Sequence, residues 1–232
     1  MGIKNVYQFR FNIFLILVIL GIPQLSKAQH KWMAVGSLHN YYSEMGSEIE
    51  HGRRETQQDG LVWPAHLPWQ DNQAAKGFWI GCKNFTDERG DLYEYKVITV
   101  GPRSKGEGEF FPTELKLVSQ IDLPKTLVND VVTIGKSIVV DEVDPALLAT
   151  MMIVNKTNTL LGLSMERRMM GFSIPGHDNY IVNEYIFTNT GNVDDDAEIE
   201  LPNNTLTDVW FFYQFRWASC FQSRYIIGNG TG

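Results

Sequence analysis

In residues 206–217 large apolar side chains recur at every second position, and that repeat suits only an extended backbone. Val209, Phe211, Tyr213, Phe215 and Trp217 share one face, with Asp208, Gln214 and Arg216 on the other. Successive side chains of a strand point to opposite faces, whereas a helix repeats about every 3.6 residues. Residues 159–170 repeat the pattern, with Leu161, Leu163, Met165 and Met169 on one face and Glu166 and Arg168 opposite. Residues 131–140 align Val132, Ile134, Ile138 and Val140. Segments 78–84, 93–100, 116–121 and 180–188 complete a set of at least seven strands, separated by Gly-Pro, Leu-Pro, Pro-Gly and Thr-Gly-Asn breaks. One segment departs from alternation: Asp144-Pro145 has the form of a helix cap and first turn, which predicts one short helix over 146–154. Without a repeating strand–helix rhythm a parallel sheet is disfavoured. The expected fold is all-β, an antiparallel β-sandwich, with one short helix and a long N-terminal loop region.

The N-terminus reads as an address. Lys4 and Arg10 precede an apolar run over 11–22, Pro23 ends it, and Ser26-Lys27-Ala28 offers the small residues a signal peptidase accepts. Twelve residues fall short of the ~20 that span a bilayer. The expected division is a signal peptide over 1–28, a strand and loop-rich segment over 29–76, and a β-sandwich domain over 77–232 whose C-terminal end is expected to continue in a longer protein. After cleavage no transmembrane segment is expected, which places the product outside the cell or on its surface. The formal charge of −7 argues against nucleic acid, because phosphate binders carry a basic face. Export would expose Cys82 and Cys220 to oxidising conditions. Closing so long a loop would contribute roughly 4–5 kcal/mol by chain entropy; the alternative is two thiols packed as small apolar groups.

No sequence pattern for a nucleophile elbow, a zinc protease helix, a paired-cysteine site or a phosphate loop is present. His39, His51 and His66 lie near Glu48 and Glu50 without a recognised zinc spacing, and His177-Asp178 sits in a turn with no nucleophile tied to it. Three patterns offer ligand chemistry. Asn192, Asp194, Asp196 and Glu198 place oxygen atoms at every second position of an acidic hairpin, which suits calcium, although a solvated hairpin tip accounts for the same residues. Trp63, Trp69 and Trp79, with Phe78, supply flat aromatic faces for a carbohydrate, although aromatic residues in a β protein also build cores. Asn84, Asn155, Asn203 and Asn229 head glycosylation sequons.

The runs Gly77-Phe-Trp-Ile-Gly, Tyr95-Lys-Val-Ile-Thr-Val-Gly-Pro-Arg, Met165-Glu-Arg-Arg, His177-Asp-Asn-Tyr and Tyr185-Ile-Phe-Thr-Asn-Thr-Gly-Asn cover much of 77–217. Together they resemble the N-terminal region of large exported bacterial proteins that end in a type IX secretion sorting domain. The Phe187-Thr-Asn-Thr-Gly-Asn stretch also resembles a hairpin of immunoglobulin-like domains from bacterial surface proteins. The resemblance implies export and β architecture and assigns no catalytic residue; the sorting domain has no counterpart here. The expectation is a non-enzymatic surface or extracellular module with a structural or adhesive role, contacting other domains of its own longer chain and a glycan or cell-surface ligand. The alternative is a carbohydrate-binding accessory domain or part of a secreted glycoside hydrolase. No cofactor is expected beyond the candidate calcium ion.

Overall fold

The computed structural model describes residues 30–48, 61–67, 72–101, 104–123, 126–128, 131–133 and 138–219. Its elements in chain order are β1 (His30–Val35), β2 (Leu38–Ser43), β3 (Gln73–Thr86), β4 (Leu92–Val100), β5 (Phe110–Ser119), β6 (Thr126–Val128), β7 (Val131–Thr133), β8 (Glu142–Val143), β9 (Met151–Thr159), β10 (Leu163–Gly171), β11 (Ile181–Asn189) and β12 (Thr207–Trp217). The described fold is all-β. A five-stranded sheet runs β11-β10-β9-β5-β8 and a three-stranded sheet runs β12-β3-β4; β1-β2 and β6-β7 form separate hairpins. Pairing is antiparallel except for the short parallel contact of β8 with β5.

The two larger sheets face each other across a layer of side chains. Phe78, Ile80, Ile98 and Val100 on one side meet Phe110, Leu163 and Met165 on the other. Phe78 lies at its centre, with ring centroids 4.8 Å from Tyr213, 5.9 Å from Tyr185 and 6.4 Å from Phe110. The β1-β2 hairpin covers the rest of the same face of the five-stranded sheet, setting Met33, Val35 and Tyr42 against Leu117, Met151, Ile153 and Met169. Lys31 fastens the hairpin to Asp141 at 2.6 Å. A third cluster, Leu147 and Ala149 on Val118 and Val154, closes part of the sheet's other face.

The tight β9–β10 turn needs Gly162. Its φ is +68°, and a Cβ there would meet Asn204 Nδ2 at 2.7 Å. Buried and half-buried residues then alternate strictly along β10, as period two demands.

Two expectations fail. The short helix over 146–154 is absent: Asp144 caps one turn, its Oδ1 accepting from Ala146 N at 2.9 Å, and the turn goes no further. Met151 onward is drawn into β9, where both edges hydrogen-bond to neighbours, β5 and β10. Tertiary pairing outweighs the local cap signal. The acidic hairpin is also absent: β11 pairs with β10 and β12 with β3, so the stretch between them crosses from one sheet to the other. Among the described residues of the 131–140 segment, Val131–Thr133 is strand.

Candidate functional site

A polar seam separates the two apolar cores. Along the inward row of β10 the residues are Leu163, Met165, Arg167, Met169 and Gly171, so a guanidinium stands where the cores meet. Register carries the seam across the sheet, with Arg167 opposite Asn155 on β9 and opposite Tyr185 on β11. Arg167 is fully buried. Its Nε and Nη2 donate to Asn155 Oδ1 at 2.9 and 2.7 Å, and Nη2 also donates to Ser43 carbonyl oxygen at 2.7 Å. Asn155 Nδ2 in turn donates to the carbonyls of Glu44 and Glu114. Burial pulls the guanidinium below its ordinary range, opposed by the phenols of Tyr185, Tyr42 and Tyr213. Burial likewise pushes the Tyr42 and Tyr213 phenols far up.

A second buried cation joins the seam from the opposite sheet. After β2 a turn closed by Ser43 N on Ser47 carbonyl at 2.8 Å brings Glu48 back beside Tyr42. Glu48 Oε1 pairs with Lys76 Nζ of β3, and Glu48 Oε2 accepts from Asn40 Nδ2 at 2.7 Å. Lys76 Nζ also lies 4.8 Å from the Phe215 ring centroid. Burial first, and the nearby Arg167 charge second, hold the Lys76 ammonium well below its ordinary range.

The acidic crossover is built from Asn and Asp side-chain oxygens that each accept from a backbone N–H two residues on. Asn192 Oδ1 accepts from Asp194 N, Asp194 Oδ1 from Asp196 N, and Asp196 Oδ1 from Glu198 N, at 3.1, 2.9 and 2.7 Å. These self-capping turns are what Asx residues favour. Asp194, Asp196 and Glu200 each present a carboxylate oxygen within 4.8 Å of the others. Of the expected ligand set, Asp194 and Asp196 are gathered; the Asn192 oxygen takes hydrogen bonds from Asn158 and Asp194, and Glu198 gives way to Glu200, whose Oε2 also accepts from Val193 N.

The third surface is the outward face of the three-stranded sheet. Register places Phe212, Trp79 and Thr99 in one row and Trp210, Gly81 and Val97 in the next. Trp210 is 73% exposed and Phe212 51%. Trp79 is fixed by its indole N–H on Gly101 carbonyl at 2.8 Å and by the Phe212 ring at 5.3 Å. Gly81 leaves a shallow trough between Trp210 and Val97, and the Lys83–Asp208 ion pair at 2.9 Å lies at one end. The result is a flat apolar platform with a charged rim.

The remaining candidates are scattered. Trp63, half exposed and preceding a cis Pro64, donates its indole N–H to Asn179, away from the partners of Trp79. Trp69, His51 and Cys220 lie outside the described residues. Cys82 is buried in the first core, and burial raises its thiol pKa. His177 Nδ1 meets the Tyr180 hydroxyl, while Asp178 accepts from Ser37 Oγ at 2.9 Å, so the His–Asp pair serves its turn. Sequence reasoning passed over Arg167, Lys76, Trp210 and Phe212, and weighed Glu48 only beside the histidines as a zinc ligand. Comparison with protein-family models, with curated proteins and with solved structures found no match to this chain.

Proposed function

We propose that this chain is an exported, non-enzymatic module of immunoglobulin-related β-sandwich type, with a structural or adhesive role at the cell surface or outside the cell. The observation that carries the reading is the outward platform of Trp79, Trp210 and Phe212. Large rings exposed together on one sheet face are characteristic of interaction surfaces. The leader signals Lys4, Arg10 and Ser26-Lys27-Ala28 support export, and among the described residues no helix is long and apolar enough to cross a membrane. The chain serves as the N-terminal part of a larger secreted protein in this reading.

The platform favours one second reading, a carbohydrate-binding accessory domain or part of a secreted glycoside hydrolase. Flat rings beside the Lys83–Asp208 pair offer stacking and hydrogen bonding to a sugar. The two readings divide on a panel of polysaccharides and of surface proteins. In either case Trp210→Ala combined with Phe212→Ala is expected to weaken binding at least about tenfold, near 1.4 kcal/mol, with an unchanged melting curve. Binding that survives the double substitution would remove the platform from the proposal. Hydrolysis of any panel member, abolished by one carboxylate substitution, would overturn the non-enzymatic role.

Calcium at Asp194, Asp196 and Glu200 is proposed alongside it. At a free concentration a hundred times the dissociation constant, a bound ion stabilises the fold by about 2.7 kcal/mol. The melting temperature is expected to rise by several degrees with calcium and not with Asp194→Asn and Asp196→Asn combined. An equal rise with sodium chloride would mean that exposed carboxylates are merely screened.

A further inference from the structure

A carboxylate within reach of both a buried amine and a buried carboxamide has chemistry that an ordinary ion pair lacks. Asn40, Glu48 and Lys76 are 1%, 4% and 2% exposed. One oxygen of Glu48 contacts Lys76 Nζ, and the other accepts from Asn40 Nδ2 at 2.7 Å. Asn40 Oδ1 has no hydrogen-bond partner among the described residues. We propose that Lys76 and Asn40 become joined by an intramolecular isopeptide bond, formed within the fold itself, with Glu48 as the proton carrier.

Each group suits its part. A primary amide resists attack by an ammonium, so the amine must first lose a proton. The apolar surroundings and the neighbouring Arg167 guanidinium both oppose charge on Lys76, and the Phe215 ring lies over the nitrogen. Glu48 Oε1 takes one proton from the Lys76 ammonium, leaving a neutral amine and a carboxylic acid. The Nζ lone pair adds to Asn40 Cγ, and the carbonyl π electrons move to Oδ1. The Glu48 carboxyl group then turns so that its acid proton passes to Nδ2, and the carboxylate so formed takes one proton from the attacking nitrogen. The Cγ–Nδ2 bond breaks as the carbonyl reforms, and ammonia leaves with the remaining acid proton as ammonium. Glu48 ends as the carboxylate it began as. No oxidant, reductant or cofactor enters the balance. Burial of all three groups keeps water from competing for Cγ.

The bond would tie β2 to β3, and so the hairpin to the three-stranded sheet, closing covalently a loop that includes residues 49–60. Loop closure stabilises chiefly by restricting the unfolded chain.

Mass spectrometry of the purified chain in denaturant tests the proposal. The wild-type chain is expected to be lighter than its sequence by one ammonia, and digestion should yield one branched peptide linking Asn40 to Lys76. Glu48→Gln and Lys76→Met should each show the full sequence mass, and the melting temperature of Glu48→Gln should fall by several degrees. A wild-type chain at full mass overturns the proposal whatever the variants do. So does an ammonia loss that maps elsewhere, such as to a cyclised Gln29, and so does loss of one water with Lys76 joined to Glu48.

Discussion

Arg167→Ala is expected to destabilise the fold by about 3–5 kcal/mol, the range for removing one partner from a buried charged network. The side chain supplies both hydrogen bonds to Asn155 Oδ1 and one to the Ser43 carbonyl. Alanine would leave Asn155 Oδ1 and the Ser43 carbonyl with only their long contacts, from Thr157 Oγ1 at 3.5 Å and Gly46 N at 3.4 Å, and open a cavity between the two cores. For a chain of this length the melting temperature should fall by roughly 10 °C or more. Arg167→Met retains most of the packed stem and should lose less. Pairing it with Asn155→Leu removes the stranded acceptor but also the Nδ2 donor to the Glu44 and Glu114 carbonyls, so the double variant should stay well below the wild type. Denaturant melts of the four proteins measure this. A loss under about 1 kcal/mol for the alanine variant would show that the seam is a minor contributor.

Phe78→Ala should be equally damaging, at about 3–5 kcal/mol. Phe78 is 1% exposed and belongs to both layers, since its ring neighbours include Tyr213 beside it and Phe110, Tyr185 and Phe187 across from it. Removing the ring empties the centre of the first core. Phe78→Leu should lose less than half as much, because most of the apolar volume remains. Equal losses for the two variants would assign the effect to ring geometry and not to the cavity.

Alternation made most strands legible, because a half-buried strand writes its burial pattern directly into the sequence. It also carried two messages that are easily overlooked. Parity places Arg167 on the same face as Leu163, Met165 and Met169, so the charge had to be internal. Parity equally places Trp210 and Phe212 with Asp208 and Gln214 on the solvent face, where large rings have no core to fill. β2 was illegible for the opposite reason: its inward residues are Asn40, Tyr42 and Ser43, whose partners come from Glu48 and from the five-stranded sheet. No local pattern announces a polar residue whose burial depends on distant partners. The 146–154 segment misled because Asp144-Pro145 is a true cap, while the backbone beyond that cap is decided by strand pairing, which sequence shows only indirectly. In the acidic crossover the spacing of Asp194 and Asp196 was readable, but the arrival of Glu200 depends on how the loop returns.

The pairing of β3 with β12 joins an early strand to the last described one, with nearly all of the five-stranded sheet between them in the chain. The β1-β2 and β9-β10 hairpins, by contrast, close over turns of a few residues. Local hairpins form in microseconds, whereas distant pairing must first overcome the entropy of the intervening chain. A polypeptide emerging from its N-terminus therefore presents β3 and β4 long before the strand that completes their sheet. During that interval the edge of β3 and the face bearing Phe78 and Ile80 are an open template for any other extended segment. Arrival of β12 is the step that ends this vulnerability, so productive folding of this chain is a race between its last described strand and its neighbours.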